Sequence, residues 1–471
     1  MSRATLPVRH LLISATLFGL AADGWSAEPV QGGDQREFGP GKAMGLGQGR
    51  TVVIRGLLDL DVVNQGQYTS GNRNVSDHRG AGLGRAELGA KIKPDETSAV
   101  VISMAWQSEL GQTPDGTTNN SRDTGYAVMN EAYVDLRDVL GFESFGIKGG
   151  RMPVTWNLRP HHGAWLYDST ANHAIVTSWD GGQVSFTGIP GYQINPFIYA
   201  MPNSGTMFGA EANWTPPLAG SNRVYITGLA SWEESAPYEN VDPASSGSLL
   251  NFTLGAPYQK VATYNLGATV SFGQVEVFME GAIQNGDRGD GVGLEGYGGY
   301  TGIEWKIPSP NLTLSGQYDH RSGDDNPGRT TGNTKAFVNP WESTRDLYIV
   351  EDEKYGELSR ILSGDQNYGM KAFKLRGNWI MDARSRFGLD LAYGFFRTAA
   401  SVQNIARTVT NSNDFGQEFD LTFSYLYNYN SKLSLLGGMF MPKEAYVATA
   451  PNPAASEDFI YLMAGNVTVT F

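Results

Sequence analysis

The 471-residue chain has a formal net charge of -13, 18% charged residues and no cysteine. The acidic balance argues against nucleic-acid binding, and the lack of thiols excludes disulfides, zinc-thiolate sites and a cysteine nucleophile. Its 59 Gly, 22 Tyr, 21 Phe and 10 Trp favour strands, tight turns and interfacial rings over helices.

Residues 1–27 read as a signal peptide. Arg3 and Arg9 precede an apolar stretch from Leu11 to Ala22 that is too short to span a bilayer as a helix. Cleavage is expected between residues 22 and 27, with Trp25 disturbing the small-residue pattern at Ala27. Residues 28–49, polar and Gly-rich, read as a flexible periplasmic N-terminal segment. No later stretch approaches the ~18 apolar residues of a transmembrane helix. An exported chain of this kind is either a soluble envelope protein or a barrel.

From residue 50 onward a period of two dominates. It predicts strands at 50–63, 82–94, 98–109, 126–137, 143–151, 180–188, 191–200, 207–215, 222–232, 260–272, 274–284, 296–306, 311–319, 368–381, 385–398, 417–428, 432–441 and 459–471. In the first, Val52, Ile54, Leu58, Leu60 and Val62 oppose Arg55, Asp59 and Asp61. In the last, Phe459, Tyr461, Met463, Val467, Val469 and Phe471 oppose Asn466, Thr468 and Thr470. Terminal alternation ending in Phe fits lipid on one side and water on the other.

The connections keep a two-beat rhythm. Brief turns such as Pro94-Asp95-Glu96-Thr97, Gly273 and Pro308-Ser309-Pro310 alternate with long segments such as 110–125, 152–179 and 320–367. Short periplasmic turns and long extracellular loops are what a barrel with both termini inside requires. The expected fold is therefore all-β: a transmembrane, antiparallel, up-and-down barrel of about eighteen strands over residues 50–471, in the outer membrane.

The loops and the last third carry a resemblance. Gly150-Arg151-Met152, the Ser322-Gly323-Asp324-Asp325 run with Phe337 and Tyr355-Gly356, and Phe415-Gly416-Gln417-Glu418-Phe419-Asp420-Leu421-Thr422 ahead of Lys432-Leu433-Ser434-Leu435 are similar to elements of the alginate-export family. The resemblance implies a monomeric eighteen-stranded channel and a lumenal role for Arg151. Met152 stands where the family has Gln, and the acidic balance departs from a pore lined by Arg and Lys.

Taking the polar phase of each strand as inward, the expected pore lining is Arg55, Asp59, Arg85, Glu87, Lys91, Glu131, Arg137, Lys374, Arg376, Arg386, Asp390 and Glu418, with Arg151 added from the resemblance. Charged rings of this kind set ion preference; the plainer reading is that the charges pair between strands and fill a wet interior. The clusters Arg85/Glu87/Lys91 and Lys374/Arg376 are expected at the constriction. Trp156, His161, His162, Trp165 and Tyr167 mark a loop able to fold inward or to pack on the rim. The acidic run Asp346–Glu357 reads as a solvated loop, with surface Ca²⁺ as the alternative.

The expected function is passive passage of a hydrophilic solute, a polysaccharide or oligosaccharide by the resemblance. The alternatives are a general or cation-preferring diffusion porin, a structural sleeve for another envelope protein, and a rim hydrolase around His320, Asp319 and Ser322. No metal, cofactor or nucleic acid is expected. Expected partners are outer-membrane lipid and lipopolysaccharide, the solute, and periplasmic export components.

Overall fold

The structure, a computed structural model, describes residues 42–47, 50–66, 79–110, 126–153, 178–200, 205–216, 223–236, 239–240, 253–254, 258–287, 292–324, 332–337, 347–351, 368–381, 386–404, 409–428, 430–449 and 456–470. Eighteen antiparallel strands, from Arg50–Gly66 to Ile460–Thr470, form a closed barrel in chain order. Among the described residues no helix is long and apolar enough to cross a membrane.

The ring closes where Arg50–Gly66 pairs with Ile460–Thr470, in continuous register from Leu57 opposite Thr470 to Gly66 opposite Tyr461. Lumenal side chains bind across this seam. Asn466 Nδ2 donates to Asp59 Oδ1 at 2.7 Å and Asp61 Oδ1 at 2.9 Å, and Thr468 Oγ1 donates to Asp59 Oδ1 at 2.8 Å. Closure leaves no edge of unpaired N–H and C=O groups, each of which costs several kcal/mol in hydrocarbon.

Burial follows the alternation. Leu435 is 66% exposed and Met463 63%, with Leu266, Met279, Ile303 and Leu391 sharing that outward face, while Glu87 is 3% exposed and Glu211 2% on the inward one. Apolar residues outside and carboxylates inside invert a soluble protein and match a membrane barrel. Aromatic rings gather at both ends of the strands. Tyr192 stacks on Trp214 and Phe387 on Tyr425 at the turn end, and Phe208 stacks on Trp232 at the loop end. Amphipathic rings prefer these interfacial levels.

Each of the eighteen expected strands is present, with differences at the ends. The strand read as 417–428 begins at Val409, and the one read as 385–398 runs to Asn404. The two pair beyond the apolar belt, where water replaces lipid and alternation of character is no longer enforced. Lys42–Gly47, within the expected flexible lead-in, is a strand paired with the start of Arg50–Gly66. Its Gly-rich sequence carries no readable alternation. In the connection before the last strand, a short helix at Glu444–Thr449 buries Tyr446 against Phe415 and Phe440.

The two faces differ in what they tolerate. Leu391→Arg, between the Phe387 and Phe395 aromatic levels, is expected to cost roughly 2–4 kcal/mol of barrel stability. The same change at lumenal Ser424 is expected to cost much less. Urea unfolding in phospholipid bilayers compares the two, and equal losses would contradict the assignment of faces.

Candidate permeation pathway and its constriction

The lumenal wall is a mosaic of paired charges. Arg55 binds Glu131 at 2.6 Å, and Glu87 accepts from Asn130 at 2.7 Å, Ser103 at 2.8 Å and Arg85 at 3.1 Å. Arg376 Nε lies 2.9 Å from both oxygens of Asp390, which also accepts from Asn378 at 3.0 Å. At the periplasmic rim Arg137 is exposed, 3.9 Å from Asp135. Lys91 faces inward near that end of its strand, and Arg386 stands exposed just before Phe387–Asn404.

A segment of the long 322–369 connection lies inside the barrel. Leu347–Glu351 is held by two carboxylates of the strand Val409–Asn428: the Tyr348 N–H donates to Asp420 at 2.8 Å, and the N–H groups of Ile349 and Val350 donate to Glu418 at 2.6 and 2.9 Å. The Tyr348 hydroxyl meets the Thr422 hydroxyl at 2.6 Å. Glu351 pairs with Lys374 at 2.6 Å, and Lys374 also pairs with Asp319 at 2.6 Å. Removing Lys374 would leave two buried carboxylates facing one another, a loss of about 3–5 kcal/mol by analogy with broken buried pairs.

Sheet register explains why the segment sits here. Along one row of the wall Gln317 faces Lys374, Lys374 faces Gly394, and Gly394 faces Glu418. Gly394 thus opens a gap between a cation and an anion. A methyl group there would lie 2.4 Å from Leu347 Cδ1, and one at Gly438 would lie 3.3 Å from Ile349 Cδ1. Leu347, Ile349 and Val350 pack with Met370, Phe396, Phe440 and Leu462 into an apolar cluster inside an otherwise polar lumen.

The same connection makes a second contact. Phe337 is buried among Phe278, Ala282 and Tyr300, and the Ala336 carbonyl fits over Gly296, where a Cβ would lie 2.6 Å from it. The connection is therefore seated on the wall at two places, separated by the nine residues 338–346. A void of about 330 Å³ lies beside the inner seat, lined by Lys306, Gln317, Lys374, Arg376, Asn378 and Asp390 among others.

Most of the expected lining faces the lumen, but Arg151 does not. It stands opposite Ala132 and Asp180 on the outward face, bound bidentately to Asp180 at 2.9 and 2.7 Å near the extracellular end. Its neighbour Met152 is the inward one, fully buried opposite Trp179. The motif identified the residue without its phase, and the surrounding glycines concealed that phase. Trp156, His161, His162, Trp165 and Tyr167 lie outside the described residues.

Glu351 corrects the solvated reading of the acidic run, being buried against Lys374. The inserted segment was missed because its signal, the run Leu347-Tyr348-Ile349-Val350 inside an acidic loop, is short. The hydrolase grouping is not assembled. Asp319 points inward to Lys374, His320 points outward onto Tyr297 at 5.4 Å, and Ser322 donates to the Lys335 carbonyl at 2.6 Å.

A closed strand ring with an apolar outside, a charged inside and an inserted connection defines an outer-membrane β-barrel channel for solute passage. Residues 240–458, the span holding the inserted segment, match the family model described as alginate export. No curated protein matches the chain. Solved structures with a similar fold include three from Pseudomonas aeruginosa. OpdK has 12% identity and a TM-score of 0.54, covering 89% of this chain and 98% of that one. OccK8 (OprE) has 10% identity and 0.54 over the same shares. OccD3 (OpdP) has 13% identity and 0.52 over 94% and 95%.

Two variants test the constriction. Glu418→Ala removes the acceptor for two N–H groups, at about 1–3 kcal/mol each, and Gly394→Leu fills the space of Leu347. Both are expected to raise single-channel conductance while the barrel stays folded. Conductance equal to wild type in both would remove the segment from the permeation path.

Proposed function

We infer that the channel passes a hydrophilic, sugar-derived solute passively, through a lumen narrowed by Leu347–Glu351. The observation carrying this reading is the lining of the void beside that segment. Lys306, Arg376, Asn378 and Gln317 offer donors, and Glu304 and Asp390 offer acceptors, within about 330 Å³. That size falls at the low end of small-molecule sites, ~300–1,000 Å³. Dense polar groups replace the hydration shell of hydroxyls at little cost. The family match over residues 240–458 supports a uronate-bearing solute, while the mixed charge of this wall supports one that carries fewer carboxylates per sugar.

A second reading is a cation-preferring diffusion porin. It is favoured by the buried charges among the described residues, in which Glu87, Glu131, Glu211, Glu276, Glu304 and further carboxylates outnumber Arg55, Arg321 and Lys374. Planar-bilayer recording with added oligosaccharides separates the two. Uronate oligomers are expected to block wild type, and Arg376→Gln is expected to weaken block about tenfold, since a charged hydrogen bond is worth ~1.5–3 kcal/mol. Ohmic, cation-selective current without block would favour the porin and overturn the first reading.

A further inference from the structure

The outer face of the barrel carries a row of basic residues where lipid contact alone would select apolar ones. His320 stands directly opposite Lys371, and Lys371 directly opposite Arg397, on the adjacent strands Leu312–Arg321, Met370–Ile380 and Phe387–Asn404. Their chain neighbours settle the orientation. Asp319 and Arg321, Met370 and Ala372, and Phe396 and Thr398 are all buried on the lumenal side, so the residues between them project outward. All three lie toward the loop end. With strands ~4.8 Å apart, the row spans about 10 Å.

One level closer to the periplasm, the same strands present Tyr318, Phe373 and Phe395 outward, again in direct register. The basic row therefore sits on top of an aromatic girdle. Aromatic surfaces also hold two of its members. The His320 ring stacks on Tyr297 at 5.4 Å, and the Arg397 guanidinium lies 5.0 Å over the Phe395 ring. Two carboxylates flank the row: Asp414, paired with Arg397 at 2.8 Å, and Glu295, which accepts from Asn333. Lys371, in the middle, has no ion pair among the described residues.

We propose that His320, Lys371 and Arg397 form a shelf for the phosphate groups of a phosphorylated glycolipid of the outer leaflet, lipopolysaccharide being that class. Three arguments meet here. Lys371 and Arg397 are cationic and phosphate is anionic, Arg binding it through guanidinium N–H groups and Lys as a point charge, while His320, directly opposite Lys371, adds a ring N–H. The row stands at the level where headgroups meet acyl chains, just above the rings that mark that boundary. It is also continuous with the lipid-facing belt, so a ligand anchored on the shelf lays its chains along Phe373, Phe395 and Leu391 below. A free anion would use only the first of these features.

The shelf faces away from the lumen, so its test is independent of the transport reading. The full chain, purified in detergent, is titrated with bisphosphorylated lipid A, with its phosphate-free form, and with inorganic phosphate, and bound lipid is read by native mass spectrometry. Wild type is expected to retain the bisphosphorylated form at least tenfold more tightly than the phosphate-free form. The double variant Lys371→Gln with Arg397→Gln is expected to lose that preference. Heat-modifiable migration and unchanged conductance confirm that it is folded; if it is not, Lys371→Gln alone is used, with an expected loss of about threefold. Equal retention of both lipids by wild type, or unchanged preference in the folded variant, overturns the proposal. Displacement of the lipid by millimolar inorganic phosphate would reduce the shelf to a simple anion site and overturn the glycolipid assignment.

Discussion

Backbone polar groups have no partner in hydrocarbon, and the rest of this structure depends on that constraint. A strand sheet survives there only if its first and last members pair. The seam between Arg50–Gly66 and Ile460–Thr470 is therefore the contact on which every other one rests. Once the ring is closed, each residue has one of two fates set by its parity, because successive side chains point to opposite faces. A slip of one residue at the seam would turn Asp59 and Asp61 toward acyl chains and Leu58 and Leu60 toward water. Asn466, which binds both aspartates across the seam, and Thr468, which binds Asp59, make that slip costly from the lumenal side as well.

Closure also creates a problem that the wall cannot solve alone. Eighteen strands enclose more space than inward side chains fill, and the chain answers with a connection folded back inside. Backbone entering a lumen needs partners for its N–H groups. Glu418 and Asp420 supply them to three consecutive residues. Space comes from Gly394 and Gly438, and apolar contact comes from Phe396, Phe440 and Leu462. Water at this level meets a polar wall on the side of Gln317 and Arg376 and an apolar plug on the side of Gly438. Lys374, tied to both Asp319 and Glu351, marks the border between the two.

The parts of the molecule legible in its sequence are those that the bilayer enforces. Phase was readable wherever a strand alternates strongly, as in Val52–Val62 or Phe419–Tyr427, and the lumenal placement of Arg55, Glu87 and Glu418 followed from it. It was unreadable where glycines replace side chains, and Arg151, between Gly150 and Met152, fell on the opposite face from the one its motif implied. Long-range seating was equally hidden. Nothing local links Leu347 to Gly394, because the fit depends on a gap some fifty residues later in the chain. A trace was present nonetheless: glycine at an inward position beside Lys374 and Glu418 is a vacancy, and an apolar run in an acidic loop is something to fill one.

The strand Met370–Ile380 shows how finely parity divides labour. Lys371 and Lys374 are the same residue type three positions apart, an odd spacing, so they meet different solvents. Lys374 faces inward, buried between two carboxylates, and fixes the inserted connection. Lys371 faces outward above Phe373. Arg376, two positions beyond Lys374 and hence on its side, is tied to Asp390 and borders the void. Charge type alone would have grouped all three into a single basic patch. The two-residue repeat instead sets Lys371 on the outward face and Lys374 and Arg376 on the lumenal one, one holding the inserted segment and the other bordering the void, which makes strand phase, more than residue identity, the quantity that sorts the charges of this barrel.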